Sequence, residues 1–145
     1  TEPAGWPHPQ AGFETETLVL EGNNESEGFA TGDLEWMTAG SGIVHTEEMV
    51  PPVDMRILQL WLTLPQAQRW APPKWQKLGL DAIPVLKAHS HEIRVYSGSA
   101  FGHTAPTHNQ TPVTLVEFKL QNGYETTQEL PGAYNGWMYL FSGCG

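Results

Sequence analysis

The sequence is poor in cysteine and in positive charge. Its 145 residues contain a single cysteine, Cys144, and 7 Lys and Arg against 16 Asp and Glu, for a formal net charge of -9 at pH 7. One cysteine excludes a disulfide within this chain, which favours a reducing compartment: cytoplasmic or, in a eukaryote, nuclear. Because its few cations are scattered, we expect no direct binding to a nucleic-acid backbone.

Long hydrophobic runs are also missing. No apolar stretch approaches the roughly 20 residues that a membrane-spanning helix needs. The first residues, Thr1 to Gly5, lack the charged and apolar regions of a signal peptide. We therefore expect a soluble protein with no membrane contact. With 39% hydrophobic and 10% aromatic residues, the chain is apolar enough to form a packed core.

Helical periodicity is the third absence. Fifteen Gly and twelve Pro divide the sequence into short segments, and almost none of these repeats apolar residues at helical spacing. Many short strands separated by turn residues predict an all-β sandwich or barrel. The predicted strands are Glu14–Leu20, Asp33–Met37, Gly42–Glu47, Ile57–Thr63, Glu92–Tyr96, Thr114–Leu120 and Gly136–Phe141.

The middle of the chain differs in composition from the segments on either side. From Leu64 to about Pro84 it is rich in Pro, Trp and Lys, and the Pro72-Pro73 pair is compatible with the start of a short helix. A second strand-rich stretch follows. Because Leu18–Gly22 also resembles Tyr139–Gly143, the sequence indicates two similar β units joined by a linker.

Two short segments carry residues suited to metal binding. Side chains two apart in a strand point to the same face, so His8 and Gln10 can aim at one point, as can His45 and Glu47. Two imidazoles and one carboxylate hold non-haem Fe(II) and leave positions open for a substrate and dioxygen, although Mn or Zn can use the same groups. By spacing alone, such segments are more often ordinary loop or surface positions than metal sites. The glycine-rich turn Ala39–Gly42, which leads into the His45 strand, favours the site.

Six segments together resemble a known family in their order and spacing. They are His8–Thr15, Leu18–Gly22, Gly32–Glu47, Leu58–Pro65, Ser97–Gly102 and Gly136–Gly143. Over nearly the whole chain they resemble the pirin family of the cupin superfamily. The resemblance implies an all-β, two-cupin protein built from jelly-roll barrels.

The resemblance also implies a division of the chain. Residues 1–64 correspond to the N-terminal, metal-binding cupin without its first strands, and residues 65–90 to a linker with a short helix. Residues 91–145 correspond to part of the C-terminal cupin, so that the second barrel is incomplete in this chain. We therefore expect the sequence to be a fragment of a longer protein.

A metal site is implied by the same resemblance. The family holds its metal with a His-x-His pair and a later His-x-Glu pair, which fall by position on His8, His45 and Glu47, while Gln10 stands where the second His is expected. A neutral amide is a weaker ligand for Fe(II) than an imidazole. The predicted ligands are therefore His8, His45 and Glu47, with Gln10 as a fourth. Fe(II) is favoured over Mn or Zn.

The implied activity is that of an iron-dependent quercetin 2,3-dioxygenase, with a flavonol and dioxygen as substrates. In this interpretation Glu47 is also the catalytic carboxylate that removes the substrate hydroxyl proton. One alternative is a metal-dependent regulatory protein, such as a transcription co-regulator, that acts through contacts with a protein partner. Another is a cupin that has lost its metal and binds a small ligand or a protein.

Several other residues have ordinary structural interpretations. We expect Glu14 to support a ligand from behind or to lie on the strand surface. Phe13 and Trp61 are candidates for the cavity wall, but packing is the default for large aromatic side chains. His89 and His91 have ligand-like spacing in a polar segment, and a second metal site there is not expected.

Overall fold

The structure is a computed structural model that describes residues 5–25, 27–47 and 54–143. Two short 3₁₀ helices, Gln66–Gln68 and Leu80–Ala82, lie within these ranges. No helix in the described ranges is long and apolar enough to cross a membrane. The remaining regular structure of those ranges is thirteen strands: β1 (Gly5–Gln10), β2 (Phe13–Glu21), β3 (Asn23–Asn24), β4 (Phe29–Ala30), β5 (Leu34–Thr38), β6 (Ile43–Glu47), β7 (Arg56–Thr63), β8 (Lys74–Leu78), β9 (Val85–Lys87), β10 (His91–Ser97), β11 (Ser99–Ala100), β12 (His103–Thr104) and β13 (Leu115–Leu120).

The largest sheet has four antiparallel strands in the order β7-β2-β5-β8. Strand β2 lies inside it, so that Glu16 stands opposite Leu60 on β7 and Trp36 on β5. Because successive residues of a strand point to opposite faces, β2 presents Leu18 on one face and Val19 on the other. Both side chains are buried, so the sheet contributes buried apolar residues to both of its faces.

The main core joins this sheet to the second half of the chain. Strands β13-β10-β9 form a three-stranded antiparallel sheet, and Tyr96 of β10 packs in the same cluster as side chains of the larger sheet. Full burial of each large apolar side chain contributes about 1.5 to 3 kcal/mol. The cluster consists of Leu18, Leu34, Trp36, Ile83 and Tyr96.

Three two-stranded units complete the described architecture. Strands β1 and β6 form a ribbon that carries the predicted metal ligands, and β11 pairs with β12. Strands β3 and β4 form the third unit, called here the β3–β4 hairpin (residues 23–25 and 27–30), which is joined by two residue pairs.

Six of the seven predicted strands are present, and two expectations about secondary structure are wrong. The helix predicted from Pro72 onward is wrong: the chain there forms strand β8, in which Trp75 stands opposite Met37 of β5. Pairing with β5 satisfies the backbone donors and acceptors of this segment, which composition alone could not reveal. The domain boundaries stay predictions, although β8, from the predicted linker, belongs to the four-stranded sheet.

The predicted strand Gly136–Phe141 is the second correction. This segment is irregular, and all its side chains except half-buried Phe141 are exposed, with Trp137 at 65% and Met138 at 90%. Its composition is typical of a strand, but none of the described strands pairs with it. Since a strand is stabilised by its neighbours, composition without a partner does not produce one here.

Candidate metal centre

The β1–β6 ribbon brings the two predicted histidine ligands together. The strands pair antiparallel, with His8 opposite His45 and Gln10 opposite Ile43. Residues directly opposite each other in such a pair share a face. The ribbon also has a bulge between Gly5 and His8, beyond which Gly5 stands opposite Glu47.

The glycine-rich turn before β6 fixes where this strand begins. Gly40 has a φ of +51°, and a Cβ at this position would lie 2.0 Å from the carbonyl oxygen of Ala71. Only glycine fits so close an approach in this left-handed conformation. The Gly40 carbonyl accepts a hydrogen bond from the Gly12 amide at 2.8 Å, and the Ser41 amide donates to the Ala71 oxygen at 2.9 Å. The turn therefore holds the start of β6 next to the end of β1.

Three polar side-chain atoms converge on the shared face of the ribbon. The Nε2 atoms of His8 and His45 are 3.1 Å apart, and Gln10 Nε2 lies 3.0 Å from His8 Nε2. The two imidazole rings meet edge to face, with centroids 4.5 Å apart. Both histidines are partly buried and Gln10 is only 5% exposed. The ribbon thus concentrates nitrogen donors where water is partly excluded.

The hydrogen bonds fix the proton on one of the two rings. His8 Nδ1 is 2.7 Å from the carbonyl oxygen of Trp6, which can only accept, so Nδ1 carries the hydrogen and donates it. In the neutral ring, His8 Nε2 then presents a lone pair to Gln10 and His45. A backbone carbonyl that orients the far nitrogen of a histidine is the usual support of a metal ligand.

The donor set fits a divalent metal. Two donors bound at about 2.1 Å and at right angles to each other are about 3.0 Å apart, close to the 3.1 Å between the Nε2 atoms of His8 and His45. Gln10 Oε1 is buried without a hydrogen-bond partner in the described part of the chain, and rotation of the amide would turn this oxygen towards His8 Nε2. An orphaned carbonyl oxygen beside two imidazoles is suited to cation binding.

Whether the predicted carboxylate ligand, Glu47, joins these donors is not part of the described structure. Glu47 ends strand β6, but its side chain is outside the described residues. Among the side chains that are described, no group of three or more His, Cys, Asp or Glu is arranged to hold a metal. The described part of the centre is therefore the pair of histidines with Gln10 beside them.

A cavity of about 270 Å³ adjoins the ribbon and includes His45 in its wall. The β2 side chains Thr17 and Val19 also line it, as does Glu35 of β5. We call this side of the four-stranded sheet the cavity face and the opposite side, which carries Leu18 and Trp36, the core face. The volume is close to the lower end for small-molecule pockets, so the cavity can take a small ligand beside His45.

Sequence reasoning missed most of the cavity wall. Phe29 of the β3–β4 hairpin and Trp75 of β8 line the cavity, together with Glu35. Strand alternation on β5 and β8 assigns Glu35 and Trp75 to the cavity face once the pairing is known. Because the sequence does not predict β8 as a strand, strand alternation cannot assign Trp75 to the cavity face from the sequence alone.

Glu14 does not have the exposed position that the sequence allowed. Its side chain is fully buried on the core face and accepts three hydrogen bonds: from Thr38 Oγ1 at 2.8 Å and from the amides of Gln110 and Thr111 at 3.0 and 3.1 Å. The expectation of a surface position is therefore wrong. Glu14 ties strand β2 to a loop of the second half of the chain.

Three other rings considered as site residues, those of Phe13, Trp61 and His91, stack on aromatic neighbours. Phe13 and Trp61 stack with centroids 4.7 Å apart, and neither is in the described wall of the cavity beside His45. In the second half, the His91 ring stacks on Tyr124 at 4.8 Å. The Cys144 position lies outside the described residues.

Comparison with known proteins identifies the family of the chain. The family model for pirin matches residues 4–62. A pirin-like protein of Solanum lycopersicum is 35% identical over 153 residues, which cover all of this chain and 53% of that protein. The chain belongs to the pirin family. It spans about half the length of the curated pirins that it matches.

Solved structures support the fold assignment. The protein GK1651 of Geobacillus kaustophilus is 39% identical, with a TM-score of 0.80 over 90% of this chain and 56% of that one. Quercetin 2,3-dioxygenase of Acinetobacter baumannii is 31% identical, with a TM-score of 0.73 over 86% of this chain and 48% of the enzyme. Like its pirin relatives, the chain therefore has an all-β cupin fold.

Proposed function

We propose that this pirin binds a divalent metal, most favourably Fe(II), and uses it to oxidise a flavonol with dioxygen. The observation that carries the proposal is the opposition of His8 and His45, whose Nε2 atoms are 3.1 Å apart. His8, His45 and Glu47 are the proposed protein ligands, with Gln10 as a fourth. When bound, iron supplies open coordination positions at which substrate oxygen and dioxygen meet.

The residues of the chain have separate tasks in this proposal. Trp6 holds the His8 ring through its carbonyl, which leaves the Nε2 lone pair free for a cation. His45 Nε2 donates its hydrogen to His8 in the arrangement described above, so this hydrogen must leave or move to Nδ1 before both rings can act as ligands. Glu47 takes the proton of the substrate hydroxyl as the proposed general base.

The cavity beside His45 supports an aromatic substrate. Phe29 and Trp75 provide apolar ring surface, and Glu35 provides a carboxylate that can accept hydrogen bonds from hydroxyl groups. A polyhydroxylated aromatic compound matches both kinds of wall. The similarity to a quercetin 2,3-dioxygenase structure supports the same substrate class.

Loss of the visible absorption of quercetin in air tests this proposal. Iron-loaded protein should consume quercetin faster than buffer alone, and His45→Ala should lower that rate by about 100-fold or more, since it removes a proposed ligand. His103→Ala, which changes an exposed histidine of β12, is the matched control. No turnover by iron-loaded wild-type protein would contradict the dioxygenase proposal. If such protein binds iron and its affinity for a protein partner depends on the metal, the regulatory alternative replaces it.

A further inference from the structure

The β3–β4 hairpin forms part of the cavity wall but has little pairing of its own. Asn24 and Phe29, which stand opposite each other, both line the cavity, as does Glu27 between them. Two residue pairs give a hairpin little independent stability. Contacts with the rest of the protein must therefore hold this part of the wall in place.

Lys77 of strand β8 makes such contacts. Its Nζ lies 3.7 Å from the centroid of the Phe29 ring and donates a hydrogen bond to the carbonyl oxygen of Glu27. A Cβ on Gly28 would stand 3.4 Å from the same nitrogen. One ammonium group thus contacts Glu27 and Phe29 and lies beside Gly28, the residue between them.

The position of Lys77 on its strand connects these contacts to the cavity. Lys77 stands opposite Glu35, which lines the cavity. Trp75 precedes it by two residues and therefore shares its face. Lys77 itself is exposed, so it reaches the hairpin from the outer part of the cavity face.

We propose that Lys77 is a positioning residue that holds the β3–β4 hairpin over the cavity and keeps the Phe29 ring in its wall. The cavity then presents Phe29 and Trp75 to a planar aromatic ligand beside His45. This inference rests on the proposed function only in taking that ligand to be the substrate. The hairpin contacts themselves do not depend on a metal.

Hydrogen exchange of the hairpin tests the contact directly. In metal-free protein, Lys77→Met should raise the exchange rate of the amides in β3 and β4 about two- to tenfold, since it removes a cation–π contact and a hydrogen bond. Lys77→Arg keeps the cation and should restore slow exchange. Lys74→Met is the matched control, because Lys74 is an exposed lysine of the same strand that stands opposite Thr38. Equal exchange in wild type and Lys77→Met would overturn the proposal.

Quercetin binding tests the effect on the cavity. The Kd of the metal-free protein, measured by quenching of tryptophan fluorescence, should rise about two- to tenfold in Lys77→Met and remain unchanged in Lys74→Met. In iron-loaded protein, KM should rise while kcat changes less than twofold. Faster hairpin exchange with an unchanged Kd would remove the role of Lys77 in ligand positioning.

The two proposals fail in different ways. If wild-type protein neither binds nor consumes quercetin, the proposed substrate is wrong, while hairpin exchange still decides whether Lys77 holds the hairpin. If quercetin is consumed but the Lys77 variants behave as wild type, the proposed function stands and the positioning role is wrong.

Discussion

Strand β2 places polar side chains on both faces of the four-stranded sheet, but their surroundings differ between the two faces. On the core face, Glu14 and Glu16 are fully buried between packed layers. On the cavity face, Thr17 borders open space that His45 also lines. Glu14 and Glu16 on the core face therefore act on stability, whereas Thr17 on the cavity face borders space that a ligand can enter.

The two glutamates of the core face also differ from each other. Glu14 accepts three hydrogen bonds, but neither oxygen of Glu16 has a hydrogen-bond partner within the described residues. Burial raises the pKa of Glu16 from 4.5 to about 8. Its neighbour across the strand pair, Trp36, also has a buried Nε1 without a described partner. Glu14 thus connects two parts of the fold. Glu16 lowers stability, because its side chain is buried without a hydrogen-bond partner in the described residues.

Glu14→Ala should have the largest effect on stability. It removes the acceptor of one buried hydroxyl and two partly buried backbone amides, and a buried donor left unpaired costs about 1 to 3 kcal/mol. We expect the free energy of unfolding, from urea denaturation, to fall by roughly 4 kcal/mol. Glu125→Ala, at an exposed position, should change it by less than about 0.5 kcal/mol. Equal effects of the two substitutions would contradict the assigned role of Glu14.

Glu16→Gln should change how stability depends on pH. Folded protein keeps the Glu16 proton up to about pH 8, whereas the unfolded chain releases it near 4.5. Between these values the unfolded state binds fewer protons, so the contribution of Glu16 to stability falls as pH rises. At 1.36 kcal/mol per pKa unit, this loss amounts to roughly 3 kcal/mol between pH 5.5 and 8.

The comparison of wild type with Glu16→Gln isolates this effect, because all other groups titrate in both proteins. Denaturation at several pH values should show the stability advantage of wild type shrinking, or turning into a deficit, as pH rises from 5.5 to 8. A constant difference across this range would mean that Glu16 has an ordinary pKa in the folded protein.

Gln10→His should have the smallest effect on stability and act on metal binding instead. Gln10 Nε2 already lies 3.0 Å from His8 Nε2, and an imidazole is a better ligand than a neutral amide. We expect the affinity for Fe(II) or Zn²⁺, from calorimetric titration, to rise about tenfold or more. The free energy of unfolding without metal should change by less than about 1 kcal/mol. Lower affinity in this variant would mean that Gln10 does not border the metal site.

Much of the fold could be predicted from local sequence because strand pattern and turn chemistry agree. Strands β2 and β7 follow their predicted ranges closely, and the turn at Gly40 delivers His45 as expected. Strand β8 could not be predicted, since its pairing with β5 outweighs the helix-like Pro72-Pro73 start. The strand predicted over Gly136–Phe141 is wrong for the opposite reason: its composition favours a strand, but no described strand pairs with it.

The candidate site was only partly predictable for a related reason. Two-residue spacing put His8 with Gln10, but only the strand register shows that His8 stands opposite His45. The cavity wall depends on contacts between residues far apart in sequence, such as Lys77 with Phe29. The proton on His8 depends on a backbone carbonyl, which no residue pattern records.

The most direct test of the account is the metal content of the protein. Wild type and His45→Ala should be purified without added metal or chelator, incubated with Fe(II) under anaerobic conditions, desalted and analysed for iron, with His103→Ala as the control. We predict close to one iron per chain in wild type and His103→Ala, and almost none in His45→Ala. Absence of bound iron in wild type, or equal iron in all three proteins, would contradict a metal centre at His8 and His45.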